Sequence, residues 1–190
     1  MSPKLNVFES ISLDGYFTGE NGDLSWAHAV PQDDEWNAWV AGNAQGGGAL
    51  ILGRVTYDMM VKWWPTDAAK QAMPKVAEGM NRMTKYVFSR TMKKAAWENT
   101  TILSGDIAVE SKKLKAGDGP GLTILGSGQI VARLTEAGLI DSYQLVVVPV
   151  IIGKGRSLFE GVTKHRAMKL TAQRAFKNGN VVLDYRPAKS

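Results

Sequence analysis

Residues 5–11 alternate apolar and polar side chains and predict a strand. Asp14-Gly15 and Glu20-Asn21-Gly22-Asp23 are turn signals, so a long loop is expected after it. Pro31 followed by Asp33, Asp34 and Glu35 reads as a helix start, with proline in the first turn and acids at the positive end of the dipole. Trp36, Trp39, Val40 and Asn43 then share a face, and glycines 46–48 end the helix. Residues 49–53 form a short buried-type strand. Asp67 is expected to cap a helix bearing Ala68, Met73, Val76 and Met80, which Pro74 should break or kink. Strands follow at 85–89 and 100–103, then a helix opened by Ser104 or Asp106, with Ile107 and Leu114 inward, closed at 117–120.

The stretch 123–134 reads as a short strand, a glycine turn and an amphipathic helix with Ile130, Leu134 and Ala137 on one face, stopping at Gly138. Thereafter the pattern is strand-only. Residues 142–152 form a long apolar strand, and 167–176 pairs with 180–186 across Lys177-Asn178-Gly179, a hairpin signal. Alternating strands and helices followed by strands alone imply an α/β fold, a three-layer domain over residues 1–190. Its mainly parallel central sheet would carry antiparallel C-terminal strands.

Composition excludes several classes. The 44% apolar and 22% charged content is that of a globular chain, and no apolar run is long enough to span a bilayer. The N-terminus lacks a signal-peptide layout and there is no cysteine, so a cytoplasmic location without disulfides or cysteine-ligated zinc is expected. His28 and His165 are too separated for a metal site and read as surface residues. The net charge of +5 is dispersed in small groups, with no nucleic-acid motif, and fits phosphorylated small ligands better than nucleic acid.

In a parallel sheet, ligands bind where the strands end. Leu52-Gly53-Arg54-Val55-Thr56, Phe88-Ser89-Arg90-Thr91 and Leu125-Gly126-Ser127-Gly128 each put small or hydroxyl residues at a strand exit, two of them with an arginine. Glycines admit a phosphate to backbone N–H groups, hydroxyls donate to it, and arginine adds charge-assisted bonds. Each is singly ordinary turn chemistry; together they point to a phosphate-rich ligand. The glycine turn is not a Rossmann fingerprint, because Val131 stands where a third small residue belongs.

These segments, with Ser10-Ile11-Ser12-Leu13-Asp14-Gly15-Tyr16 and Val148-Pro149-Val150-Ile151-Ile152-Gly153-Lys154-Gly155-Arg156, run through the chain in the order found in one family. The sequence resembles the dihydrofolate reductase superfamily, specifically its bacterial branch related to the riboflavin-pathway reductase domain. The resemblance implies a dihydrofolate reductase-like fold, NADPH as cofactor and a homodimer. It implies Leu52, Gly53, Arg54, Thr56, Ser89, Arg90 and Thr91 along the adenosine side, with Gly126, Ser127, Gly128, Gln129 and Ile130 at the pyrophosphate. Tyr57-Asp58-Met59-Met60 departs from the Asp-Pro pair usual in riboflavin reductases.

Reducing a C=N or C=O bond needs a proton on the heteroatom, and a carboxyl walled by tryptophans could hold one near neutrality. Asp33 or Asp34, near Trp26, Trp36 and Trp39, fits in kind, and either acid equally suits a helix N-terminus. The expected function is an NADPH-dependent reductase of a small heterocyclic (pterin- or pyrimidine-like) or carbonyl substrate. The rivals are a nucleotide-binding protein of this fold without turnover and a nucleic-acid binder. The apolar strand at 145–152 and Trp63-Trp64 are the sequence features that favour a dimer.

Overall fold

The computed structural model describes residues 2–188. Six strands, β1 (Leu5–Ser12), β3 (Ala49–Gly53), β4 (Thr84–Phe88), β5 (Thr100–Leu103), β6 (Leu122–Leu125) and β7 (Ser142–Val148), run parallel. Two more, β9 (Met168–Ala175) and β10 (Val181–Pro187), are antiparallel, giving the order β5-β4-β3-β6-β1-β7-β10-β9. A separate ribbon pairs β2 (Tyr16–Thr18) with β8 (Arg156–Ser157). The α/β class and the antiparallel C-terminal edge match the pattern of the sequence.

Among the described residues six α-helices sandwich this sheet: α1 (Asp34–Gln45), α2 (Arg54–Met60), α3 (Asp67–Ala72), α4 (Pro74–Arg82), α5 (Ile107–Ala116) and α6 (Gly128–Glu136). Along β3 the side chains alternate: Ala49 and Ile51 pack with α6, whereas Leu50 and Leu52 pack with α4. Both faces are covered, which is why this strand is continuously apolar rather than alternating.

The element boundaries differ from the sequence pattern where a side chain captures a backbone donor. Thr66, not Asp67, caps α3, its Oγ1 accepting the Ala69 N–H, and Pro74 divides the expected helix in two by starting α4. Asp106 rather than Ser104 opens α5. The last parallel strand ends at Val148, four residues short of the expected 152, because Pro149 has no N–H to continue the ladder. Helix α2 was not legible, since β-branched Val55 and Thr56 directly after a strand carry no helix signal.

Of the apolar run that suggested a dimer, residues 145–148 lie in β7 between β1 and β10, whereas Pro149 and Ile151 beyond the strand are exposed. Trp64 packs on the cluster around Leu52 and Tyr57, and Trp63 is exposed. The sheet's edges are β5 and β9, and β9, exposed along its length, carries Lys169 and Arg174 in the manner of a protected edge strand.

Beneath α4 lies a buried ammonium. Lys85 is 0% exposed, and its Nζ donates to the carbonyls of Asn81 (2.8 Å), Met83 (2.8 Å) and Glu98 (3.2 Å), closing the C-terminus of α4. It also stands 4.3 Å from the Trp97 ring centroid. Burial lowers its pKa from 10.5 to about 8, against the opposing pull of Glu98. Between those values the unfolded chain binds more protons than the folded one, so stability should rise with pH across this window, by up to about 1.4 kcal/mol per unit from this group. Denaturant unfolding at several pH values should show that slope in the wild type and its loss in Lys85→Met, which should also be destabilised by the orphaned carbonyls.

Candidate active site

The carboxyl ends of neighbouring β3 and β6 are fastened together by one residue. After Leu125 the chain turns through Gly126 (φ +65) and Ser127 (φ +70) and enters α6 at Gly128. A left-handed conformation costs a non-glycine residue about 1–2 kcal/mol. Ser127 offsets it with its hydroxyl: Oγ accepts the Gly53 N–H at 2.6 Å and lies 3.0 Å from Thr56 Oγ1. The start of α2 is thereby pinned to the start of α6. Ile130 N–H bonds back to Ser127, leaving the Gly128 and Gln129 N–H groups without intrahelical acceptors at the positive end of the helix dipole.

From the sequence, Gly126 and Gly128 are glycines so that a phosphate can approach. In the structure protein atoms take that space. A Cβ at Gly126 would lie 2.5 Å from Thr56 Cγ2, and one at Gly128 would lie 2.6 Å from Phe17 Cε1. Packing alone therefore demands both glycines. The turn's capacity for an anion rests on its free amides, not on empty space above the glycines.

These elements wall a cleft of about 570 Å3. Gly53, Arg54, Thr56 and residues 126–130 line it, as do Phe8, Phe17, Trp26 and Met60. Its cations are Arg54 and Arg156. Arg54 is exposed and pairs with Asp58 at 2.8 Å within α2, an i,i+4 contact of small worth in water. His28, a surface residue by its sequence, also lines the cleft.

The other expected site residues lie outside this lining. Leu52 is fully buried among the residues packed on α4. Ser89, Arg90 and Thr91 form the turn after β4, where Ser89 Oγ accepts the Thr91 and Met92 N–H groups. Asp33 caps α1, accepting the Trp36 N–H at 2.8 Å, and Asp34 is exposed in its first turn. Trp36 and Trp39 stack on each other and meet the Phe176 ring edge-on. Asp14 is a tether: it accepts from Ser12 Oγ and from the Ile152 and Gly153 N–H groups, which together hold its carboxyl below the usual range.

The acid that the cleft does contain is Glu9, on β1 and 6% exposed. Burial pushes its carboxyl well above the usual carboxylate range, and the Gly126 N–H offsets only part of that. Sequence reasoning missed it, although its parity was a signal: an acid sharing the inward face of β1 with Leu5 and Val7 has no apolar reason to be there.

Known proteins share this fold. A family model described as the RibD C-terminal domain matches residues 3–182. The Bacillus subtilis (strain 168) protein YyaP is 27% identical over 180 residues, covering 93% of this chain and 90% of YyaP. A protein of Shewanella sp. PV-4 that carries a riboflavin-biosynthesis name superposes over 100% of both chains, with TM-score 0.78 and 22% identity. The Thermotoga maritima diaminohydroxyphosphoribosylaminopyrimidine deaminase/5-amino-6-(5-phosphoribosylamino)uracil reductase gives TM-score 0.69 at 16% identity, over 98% of this chain and 57% of that one. At such identities the structural likenesses establish the fold.

The Ser127 fastening is testable on its own. Ser127→Ala loses the hydroxyl and keeps the left-handed backbone, so it should destabilise by about 1–3 kcal/mol. Ser127→Gly also loses the hydroxyl but relieves the backbone, and should cost about 1 kcal/mol less. Urea unfolding that ranked alanine above glycine would contradict this account.

Proposed function

The chain belongs to the RibD C-terminal domain family, and on that premise we propose that it is an NADPH-dependent reductase of a small heterocyclic, pterin- or pyrimidine-like, or carbonyl substrate. The observation that supports the reading is a set of donors at the cleft wall: the amides at the start of α6 that have no intrahelical acceptor, with Arg54 and Arg156 in the same lining. The amides of Gly128 and Gln129 would hold the pyrophosphate. Arg54 would exchange its weak surface pair with Asp58 for the 2′-phosphate, a stronger charge-assisted partner. The bound nicotinamide supplies a hydride; the chain orients the acceptor and keeps water out with Phe8, Phe17, Trp26 and Met60.

Quenching of tryptophan fluorescence tests this directly, because Trp26 lines the cleft. NADPH should bind more tightly than NADH. Arg54→Ala should lose about 1.5–3 kcal/mol of NADPH affinity and little of NADH affinity, while Asp58→Ala should not weaken NADPH. Equal affinities for the two nucleotides, unchanged by Arg54→Ala, would refute the cofactor assignment. NADPH oxidation over a panel of pterin, pyrimidine and carbonyl compounds then separates a reductase from a binding protein.

A further inference from the structure

The cleft contains polar atoms that the protein leaves unanswered. Among the described residues, Glu9 Oε1, Thr18 Oγ1 and Trp26 Nε1 are buried without a hydrogen-bond partner, and all three residues line this cleft. They are 6%, 8% and 6% exposed respectively. An unpaired polar atom at such burial costs about 1–3 kcal/mol, so three converging on one cavity form a set awaiting a ligand. They come from three separate elements, β1, β2 and the short 3-10 turn Ser25–His28. No packing requirement of any single element explains their convergence.

The strand order places this set. If phosphates sit at the turn after β6, the next strand away from β3 is β1, the strand of Glu9, about 5 Å further across the sheet. The set lies on the β1 side of that turn, with Glu9 beside Gly126 and with Thr18 and Trp26 on the elements that follow β1. Of the ionisable residues in the lining, Arg54 and Arg156 remain cationic, and His28 is exposed. Glu9 is the buried acid.

We propose that Glu9 is the proton donor of this cleft, with Trp26 Nε1 and Thr18 Oγ1 orienting the acceptor. The inference rests on the reductase reading for the hydride. As the hydride of a reduced nicotinamide forms the new C–H bond, the Glu9 O–H bond breaks and its proton goes to the nitrogen or oxygen of the C=N or C=O group. The nicotinamide is left oxidised and Glu9 as carboxylate. Solvent reprotonates it after product leaves. Before reaction the un-ionised acid donates a hydrogen bond to the same heteroatom, so the role is visible in binding as well as in turnover.

The test uses lumazine, a planar bicyclic compound rich in ring carbonyls and nitrogens, as a fluorescent binding probe without cofactor. Wild type, Glu9→Gln, Trp26→Phe and Thr18→Val are compared across the neutral and mildly alkaline range, with melting temperatures taken on the same samples. Wild-type affinity should fall at least tenfold as pH rises and Glu9 ionises. Glu9→Gln, which keeps a donor that cannot ionise, should lack that fall; comparing the two proteins removes the probe's own ionisation. Trp26→Phe and Thr18→Val should each weaken binding several-fold at every pH. With a substrate that turns over, Glu9→Gln should lower kcat about 100-fold or more and leave NADPH affinity within twofold. An identical pH dependence in wild type and Glu9→Gln, or no lumazine binding by wild type at millimolar concentration, overturns the proposal. If Glu9→Gln does not fold, a wild-type infrared spectrum without a protonated-carboxyl band at neutral pH does so as well. Loss of the NADPH reading alone would appear instead as absent nucleotide quenching with the lumazine behaviour intact.

Discussion

Everything that shapes the cleft depends on the hydrogen bond from Gly53 N–H to the Ser127 hydroxyl. Parallel strands end side by side, but nothing in a β-ladder sets the relative heights of the loops that leave them. Here a side chain from one loop captures the first free amide of the other, and Thr56 joins the same oxygen. The left-handed backbone of Ser127 is what turns its hydroxyl toward β3 instead of toward solvent. Because that strain is held locally, the free amides of Gly128 and Gln129 keep a fixed direction relative to Arg54, which an electrostatic binding site requires.

The two halves of the sheet serve different ends. On the side of β3 and β6 the chain exposes backbone donors and cations, groups suited to a polyanion. On the side of β1 it buries polar atoms among aromatic rings. Burying an unpaired cation costs more than burying a neutral polar group, and hydrogen bonds made in a dry pocket are stronger, which accords with Arg54 being exposed whereas Glu9, Thr18 and Trp26 are nearly sealed. Asp14 serves both by holding the turn after β1 to residues 152–153, on the approach to β8 and Arg156.

Much of this architecture was legible in the sequence because it is written in local chemistry. The Asn178-Gly179 turn between apolar runs gives the C-terminal hairpin, with Gly179 at φ +93, and the strand-turn-helix at 122–136 is read directly from its spacing. What was not legible depends on partners distant in sequence. Nothing near Asp33 in the sequence distinguishes a cap from a catalytic acid; its bond to the Trp36 N–H and its place outside the cleft lining emerge only in three dimensions. Glu9 reads as one polar residue in an alternating strand until β6 brings Gly126 beside it. The arginines at the exits of β3 and β4 look equivalent in the sequence, yet only Arg54 reaches the cleft, because α2 begins at once after β3 whereas a turn built on Ser89 follows β4.

Phe17 rests where a side chain at position 128 would have to go. The ribbon of β2 and β8 is thus docked on the first residue of α6 through an aromatic ring against a bare backbone. Neither position is free to drift alone. Along an evolutionary lineage, a larger residue at 128 becomes admissible only after 17 has shrunk, and a smaller residue at 17 opens a void at the helix start until 128 fills it. The pair should therefore be inherited together, and lineages that escape it would do so by passing through a protein whose cleft rim is loose.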